Sequence, residues 1–249
     1  MRAPICVVLL SSVTILAKAQ TIQKSSDHPY EWPKKAGTLE WKTLPSLEAR
    51  VAASEIPKET ARSLTTRALV RTCMSHPLRA VVAFRNNPSD GINFLFQNFY
   101  GLKELILRDD AAAALLDYYE GYSRNLETAE EIWFEDLFFT NFLLQDSRIL
   151  DKFEPDQIQE LLDFAIANYR NARGRADTNL ASIEDPYIGL ISTLIVKRNV
   201  QIPRLEGGPD VAILQSDMRA YLGREPTSEA FLDSFSSFVD AAVVAYQNK

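Results

Sequence analysis

The stretch Glu154–Gly174, "EPDQIQELLDFAIANYRNARG", decides the fold class. Its apolar residues Ile158, Leu161, Leu162, Ala165, Ile166 and Tyr169 recur at i, i+3, i+4, i+7, i+8 and i+11. That spacing puts them on one face of an α-helix. Pro155 stands in the first turn, where its missing N–H costs nothing, and Gly174 closes the segment. A helix with one oily stripe needs other helices or a sheet to cover it, so the flanking pattern decides between them.

On both sides the pattern is helical. "PSLEARVAASEIPKETARSLTTRALVRTCMSH", residues 45–76, reads as two or three short helices, with Pro57 opening one. "NNPSDGINFLFQNFYGLKELILRDDAAAALLDYY", residues 86–119, reads as two or three more, broken near Gly91 and Gly101. Thr128 and Glu131 form a capping box for the next helix. That helix carries Ile132, Trp133, Phe134, Leu137, Phe138, Phe139, Phe142, Leu143 and Leu144, leaving a polar stripe through Glu131 and Glu135. So broad an apolar surface places it near the centre of the fold. "DPYIGLISTLIVKR", residues 185–198, reads as a helix, with a strand as the alternative because of its β-branched residues. "LEGGPD" is a turn, and helices are expected over 210 to 222 and about 227 to 247. With no alternating strands and no fixed repeat period, the class is all-α. The expected architecture is an irregular array or orthogonal bundle of helices, some paired as helical hairpins.

The chain opens with Arg2, an apolar run from Ile5 to Leu16 and the Ala17-Lys18-Ala19 triplet. The run is shorter than the roughly 20 residues that span a bilayer. Residues 1–19 read as a secretory signal peptide cleaved before Gln20, so the expected location is periplasmic or extracellular. Residues 20–45 hold Trp32 and Trp41 among prolines and show no period; they read as an extended N-terminal arm stapled to the domain by those two rings. A ligand-stacking platform is the alternative for the tryptophans. Residues 46–249 read as a single helical domain.

Loss of Arg2 and Lys18 takes the 27 basic residues to 25 against 33 acidic ones, a net charge of −8. Such a chain lacks the cationic face that nucleic acid requires. No later stretch is long and apolar enough for a transmembrane segment, and no cofactor-binding motif is present. Cys73 is then the one cysteine left, so an intrachain disulfide is excluded.

Cys73 and His76 stand three residues apart, one helical turn. A reactive thiol would need that histidine as a base and an electropositive setting. Leu69, Val70, Cys73 and Leu78 instead make a buried stripe, and His76 precedes Pro77, where a helix usually ends. The expectation is structural core, with an intermolecular bridge and a catalytic or metal role as alternatives. His28 is the other histidine, so a zinc site would need carboxylates for its remaining ligands. Glu135 with Asp136, and Asp109 with Asp110, are the acidic pairs that a glycosidase could use. The plainer readings are a solvated face for the first and a helix cap for the second. Arg67 and Arg71, at i and i+4, read as a solvated face or ion-pair partners ahead of an anion site.

The segment Leu69–Tyr119 resembles a family of exported, helical proteins from Gram-negative gut bacteria that has no established activity. Cys73, Pro77, Leu78, Phe99, Gly101, Glu104, Leu105, Arg108, Leu115 and Leu116 carry the likeness, and "FLLQDSRILDKFEPDQIQELLDFAIANY" adds a second block. The two blocks cover about 100 residues of the chain. The resemblance implies an all-helical domain and no catalytic residues to transfer. The family's usual aromatic is replaced here by His76, which argues against an essential ligand. The expected function is a non-catalytic interaction or scaffold protein for a peptide, protein or glycan. A carboxylate-based hydrolase of glycan or cell wall, and an immunity or inhibitor protein, are the alternatives.

Overall fold

The computed structural model describes residues 26–85, 87–128, 134–173, 180–198 and 244. The leader, the turn "LEGGPD", and the helices expected over 210–222 and 227–247 lie outside the described residues, save position 244. So do Glu131, Ile132 and Trp133; Thr128 is the last residue of a helix rather than the first of the next.

Eleven α-helices are present among the described residues, and no strand. They are α1 (Leu39–Lys42), α2 (Leu47–Ala53), α3 (Lys58–Ser63), α4 (Thr66–Met74), α5 (Pro88–Asn98), α6 (Tyr100–Leu105), α7 (Ala111–Thr128), α8 (Phe134–Gln145), α9 (Ser147–Leu150), α10 (Pro155–Arg173) and α11 (Leu180–Lys197). A 3-10 turn, Arg79–Val81, follows α4. The fold is all-α, with α10 paired on α11, α7 on α10 and α4 on α7.

The stripe on α10 is the face it buries: Ile158, Leu161, Leu162, Ala165, Ile166 and Tyr169 are all core. Each such aliphatic side chain contributes about 1.5–3 kcal/mol by leaving water. Helix α8 lies against α4, α5 and α11, and from Phe139 to Asp146 every residue is buried. That is the central position its composition demands. Its polar members are engaged: Tyr119 donates to the Asn141 side chain at 3.0 Å, and Asn141 donates to the Leu137 carbonyl at 2.9 Å. The segment after Asp185 is helical, and α11 begins five residues earlier at Leu180. Packing against α8 and α10 settles what β-branched residues leave open.

Gly91 does not break a helix; it lies inside α5. A Cβ there would stand 2.6 Å from the Val82 Cα and 3.0 Å from the Val81 carbonyl oxygen. The glycine serves close approach of α5 to the Val81–Val82 backbone, which a propensity argument misses. The break near Gly101 is real and falls at Phe99, between α5 and α6.

The N-terminal arm is only partly extended. Ser26 pairs with the α3–α4 junction, donating to the Ser63 carbonyl at 2.9 Å and accepting from the Thr65 N–H at 2.8 Å. The arm then follows α4: the Tyr30 N–H donates to the Thr72 hydroxyl at 2.9 Å, and the Trp32 indole N–H donates to Ser75 Oγ at 3.2 Å. Gly37, at φ +86°, turns the chain into α1. Trp32 and Trp41 are both buried against the domain.

Candidate functional site

The thiol and the imidazole lie within the core. Cys73 has no exposed surface, and burial pushes its thiol well above the usual range, away from thiolate. His76 is 1% exposed. Its ring lies edge-on to Trp32, with centroids 5.1 Å apart, and tilted against Phe99 at 4.2 Å. Both ring nitrogens are engaged. The Leu78 N–H donates to Nδ1 at 3.2 Å, which makes Nε2 the protonated nitrogen, and Nε2 lies 3.1 Å from the Ser54 carbonyl at the end of α2. The free carbonyl that His76 satisfies is thus on another helix, 22 residues away. The ring is neutral: burial foremost brings its pKa down to about 3, the Ser54 bond opposes this, and the charge of Arg79 adds to it. A neutral ring gives no charge interaction with the end of α4.

One member of each acidic pair is tied up. Asp136 is ion-paired with Arg79. Asp110 accepts the Thr66 hydroxyl at 2.6 Å, and its carbonyl accepts the Ala114 N–H at 3.0 Å in the first turn of α7. The side chain therefore fastens α7 to α4 instead of capping its own helix. His28 is exposed on the arm. Among the described residues, no three His, Cys, Asp or Glu side chains gather as a metal site, and no helix is long and apolar enough to cross a membrane.

The concavity that does have usable groups lies between α4 and α7. Arg67 and Arg71 project from the face of α4 opposite Leu69 and Cys73. On α7, Ala114, Asp117, Tyr118, Gly121 and Tyr122 occupy i, i+3, i+4, i+7 and i+8, a single face. Together they line a cleft of about 280 Å³. Small residues sit at Ala114 and Gly121, and a Cβ built on Gly121 meets nothing within 4 Å. Arg67 Nη2 lies 2.6 Å from Asp117 Oδ2, an ion pair between the two helices. Arg71 Nη2 donates to the Asp27 carbonyl on the arm at 2.6 Å and lies 3.6 Å from its Oδ1. The ion-pair reading of the two arginines therefore stands.

The Tyr118 and Tyr122 rings are stacked, 6.4 Å apart and 12° from parallel. Burial pushes the Tyr118 phenol up to about 12, with Asp136 adding and Arg79 opposing. Burial also raises Tyr122, followed by the neighbouring phenols of Tyr187, Tyr119 and Tyr118 and then by Asp136. The Tyr122 hydroxyl is buried and has no hydrogen-bond partner among the described residues. An orphaned buried hydroxyl costs about 1–3 kcal/mol.

A larger hollow of about 380 Å³ lies where the arm crosses the end of α4, lined by Trp32, Lys35, Ser75 and Arg79 among others. Its Ser75 and Arg79 are engaged with Trp32 and Asp136. The α4–α7 cleft is the better candidate because Nε and Nη1 of its two arginines have no partner among the described residues, whereas Arg79 spends Nε on Asp136 and Nη1 on the His76 carbonyl. Asp117, Tyr118 and Tyr122 escaped sequence reasoning. The signal for them was the small–polar–aromatic face of α7, where a core helix would carry Leu or Ile. Comparison of the chain with protein-family models, with characterised proteins and with solved structures finds no match.

Proposed function

We propose that this protein is an exported, non-catalytic interaction module that holds a peptide, protein segment or glycan in the α4–α7 cleft. The observation that carries this reading is the concave α4–α7 surface, where two stacked tyrosine rings lie beside two guanidinium groups that keep donors to spare. The leader-like residues 1–19 and the likeness of Leu69–Tyr119 to exported helical proteins support export. Against hydrolysis, Asp117 is the one carboxylate among the described lining residues, and an acid–base couple needs two carboxylates roughly 5–10 Å apart.

The test compares the wild-type protein with Gly121→Leu. A side chain grown at Gly121 enters open space, so this variant fills the cleft and keeps the fold. Each protein is incubated with cell-envelope peptides and glycans, and retained material is identified by mass spectrometry. The wild-type protein should return an intact ligand that Gly121→Leu does not retain. Equal retention by both would overturn the cleft as the site. Cleaved product in molar excess over protein would overturn the non-catalytic reading.

A further inference from the structure

The chemistry of the same cleft narrows its ligand, an inference that rests on the cleft being the binding site. We propose that it takes one carboxylate, carried on a planar or apolar body about the size of a single amino-acid or sugar residue. A cleft of about 280 Å³ sits at the small end of ligand sites, with room for one residue.

The carboxylate preference comes from the arginines. A guanidinium has five N–H donors in a planar fork that matches a carboxylate two-to-two. Arg67 meets Asp117 through Nη2 alone, and Arg71 meets Asp27 through Nη2 alone. Nε and Nη1 of both are left without a protein partner among the described residues. Each arginine faces one carboxylate, Asp117 or Asp27, so the four charges balance and a ligand is drawn by the unused donors, not by an excess of charge. A doubly charged phosphate would be opposed by Asp117, which lines the same space.

The body of the ligand is read by α7. The stacked faces of Tyr118 and Tyr122 give a flat wall, and Ala114 and Gly121 leave room beside it. An amino-acid C-terminus and a uronic acid both present this combination of a carboxylate with a ring or apolar body.

Four probes test the idea by NMR on protein with labelled tyrosines: N-acetyl-L-phenylalanine and its amide, and the methyl glycoside of galacturonic acid, its carboxylate free, and methyl galactoside. At least one carboxylate probe should shift the Tyr118 and Tyr122 ring signals, and its neutral counterpart should bind about tenfold more weakly or worse. The first pair reports a peptide terminus and the second a uronate; binding in either supports the proposal. Arg71→Gln should weaken the carboxylate probe about tenfold and Arg71→Lys should not restore it, because an ammonium lacks the fork. Unchanged thermal melting of these variants shows that they fold. Equal binding of charged and neutral probes, abolished by Gly121→Leu, would leave the cleft as a site and overturn the carboxylate preference. Absence of any shift from both carboxylates at millimolar concentration would also overturn it, with the mass-spectrometric comparison of wild type and Gly121→Leu deciding the fate of the cleft itself.

Discussion

His76→Phe separates the packing role of this ring from its hydrogen bonds, and pH distinguishes the two. A phenyl ring keeps the place between Trp32 and Phe99 but deserts the Ser54 carbonyl and the Leu78 N–H. Each buried orphan costs about 1–3 kcal/mol, and the better burial of phenyl offsets part of that, so the variant loses about 2–4 kcal/mol near neutrality. The wild-type ring has a second property. Its folded pKa is held near 3, whereas an unfolded chain returns it to about 6.5. Above pH 6.5 neither state takes the proton, and the ring adds no pH dependence. Below it the unfolded chain binds a proton that the folded chain refuses, and stability falls by about 1.4 kcal/mol per pH unit until pH approaches 3. By about pH 4.5 the wild type has lost about 3 kcal/mol through this residue. The phenylalanine variant has no such proton to bind.

Urea unfolding of both chains from about pH 7.5 to about pH 4.5 reads the difference directly. Carboxylate titrations are common to both proteins and cancel. The wild-type advantage should be constant above pH 6.5, shrink below it, and vanish or reverse near pH 4.5. An advantage that stays constant over the whole range would mean that the ring takes up its proton in the folded state. The imidazole would then be open to water, and the closed core around Cys73 and His76 would be refuted.

Two further outcomes follow from the same packing. In a Cys6→Ser chain, Cys73 should react with a thiol reagent several thousand-fold more slowly in the folded than in the urea-unfolded protein, as an opening free energy of about 5 kcal/mol requires; rapid labelling without denaturant would remove it from the core. Gly→Ala should change sign between two helical sites. Gly121→Ala meets nothing and gains about 1 kcal/mol of helix propensity, whereas Gly91→Ala drives a Cβ into the Val82 backbone and costs about 1–3 kcal/mol, both read as shifts in melting temperature.

What could be read from the sequence followed the range of the interaction concerned. The α10 stripe and the all-round burial of α8 are properties of consecutive residues, so periodicity carries them. The burial of Cys73 was legible for the same reason, through Leu69, Val70 and Leu78. The partners of His76 were not, because Ser54 and Trp32 come from elements that only the tertiary fold brings to the ring. Gly91 failed for a related reason. Its role is the distance between α5 and the Val81–Val82 backbone, and residue spacing cannot report a distance between elements. The cleft is a product of two helices more than 40 residues apart, and its arginines looked like an ordinary solvated pair until α7 and the arm were placed beside them.

Helix α4 shows why one short segment can hold an inert cysteine beside two available cations. Successive residues advance by about 100° around a helix, so its positions fall into separate sectors. Leu69 and Cys73 share a sector and face the interior. Ala68, Thr72 and Ser75 share the next, where the arm lies and takes its bonds from Thr72 and Ser75. Arg67 and Arg71 share the third, away from the core and over the cleft. The polar residues under the arm are small hydroxyls because they must bond a backbone N–H and an indole at close range. The polar residues over the cleft are long and cationic because they reach Asp117 on α7 and Asp27 on the arm while keeping donors to spare. Chemistry on this helix is therefore assigned by angular position. The thiol that drew attention for its reactivity faces the one sector from which no reagent or substrate can approach.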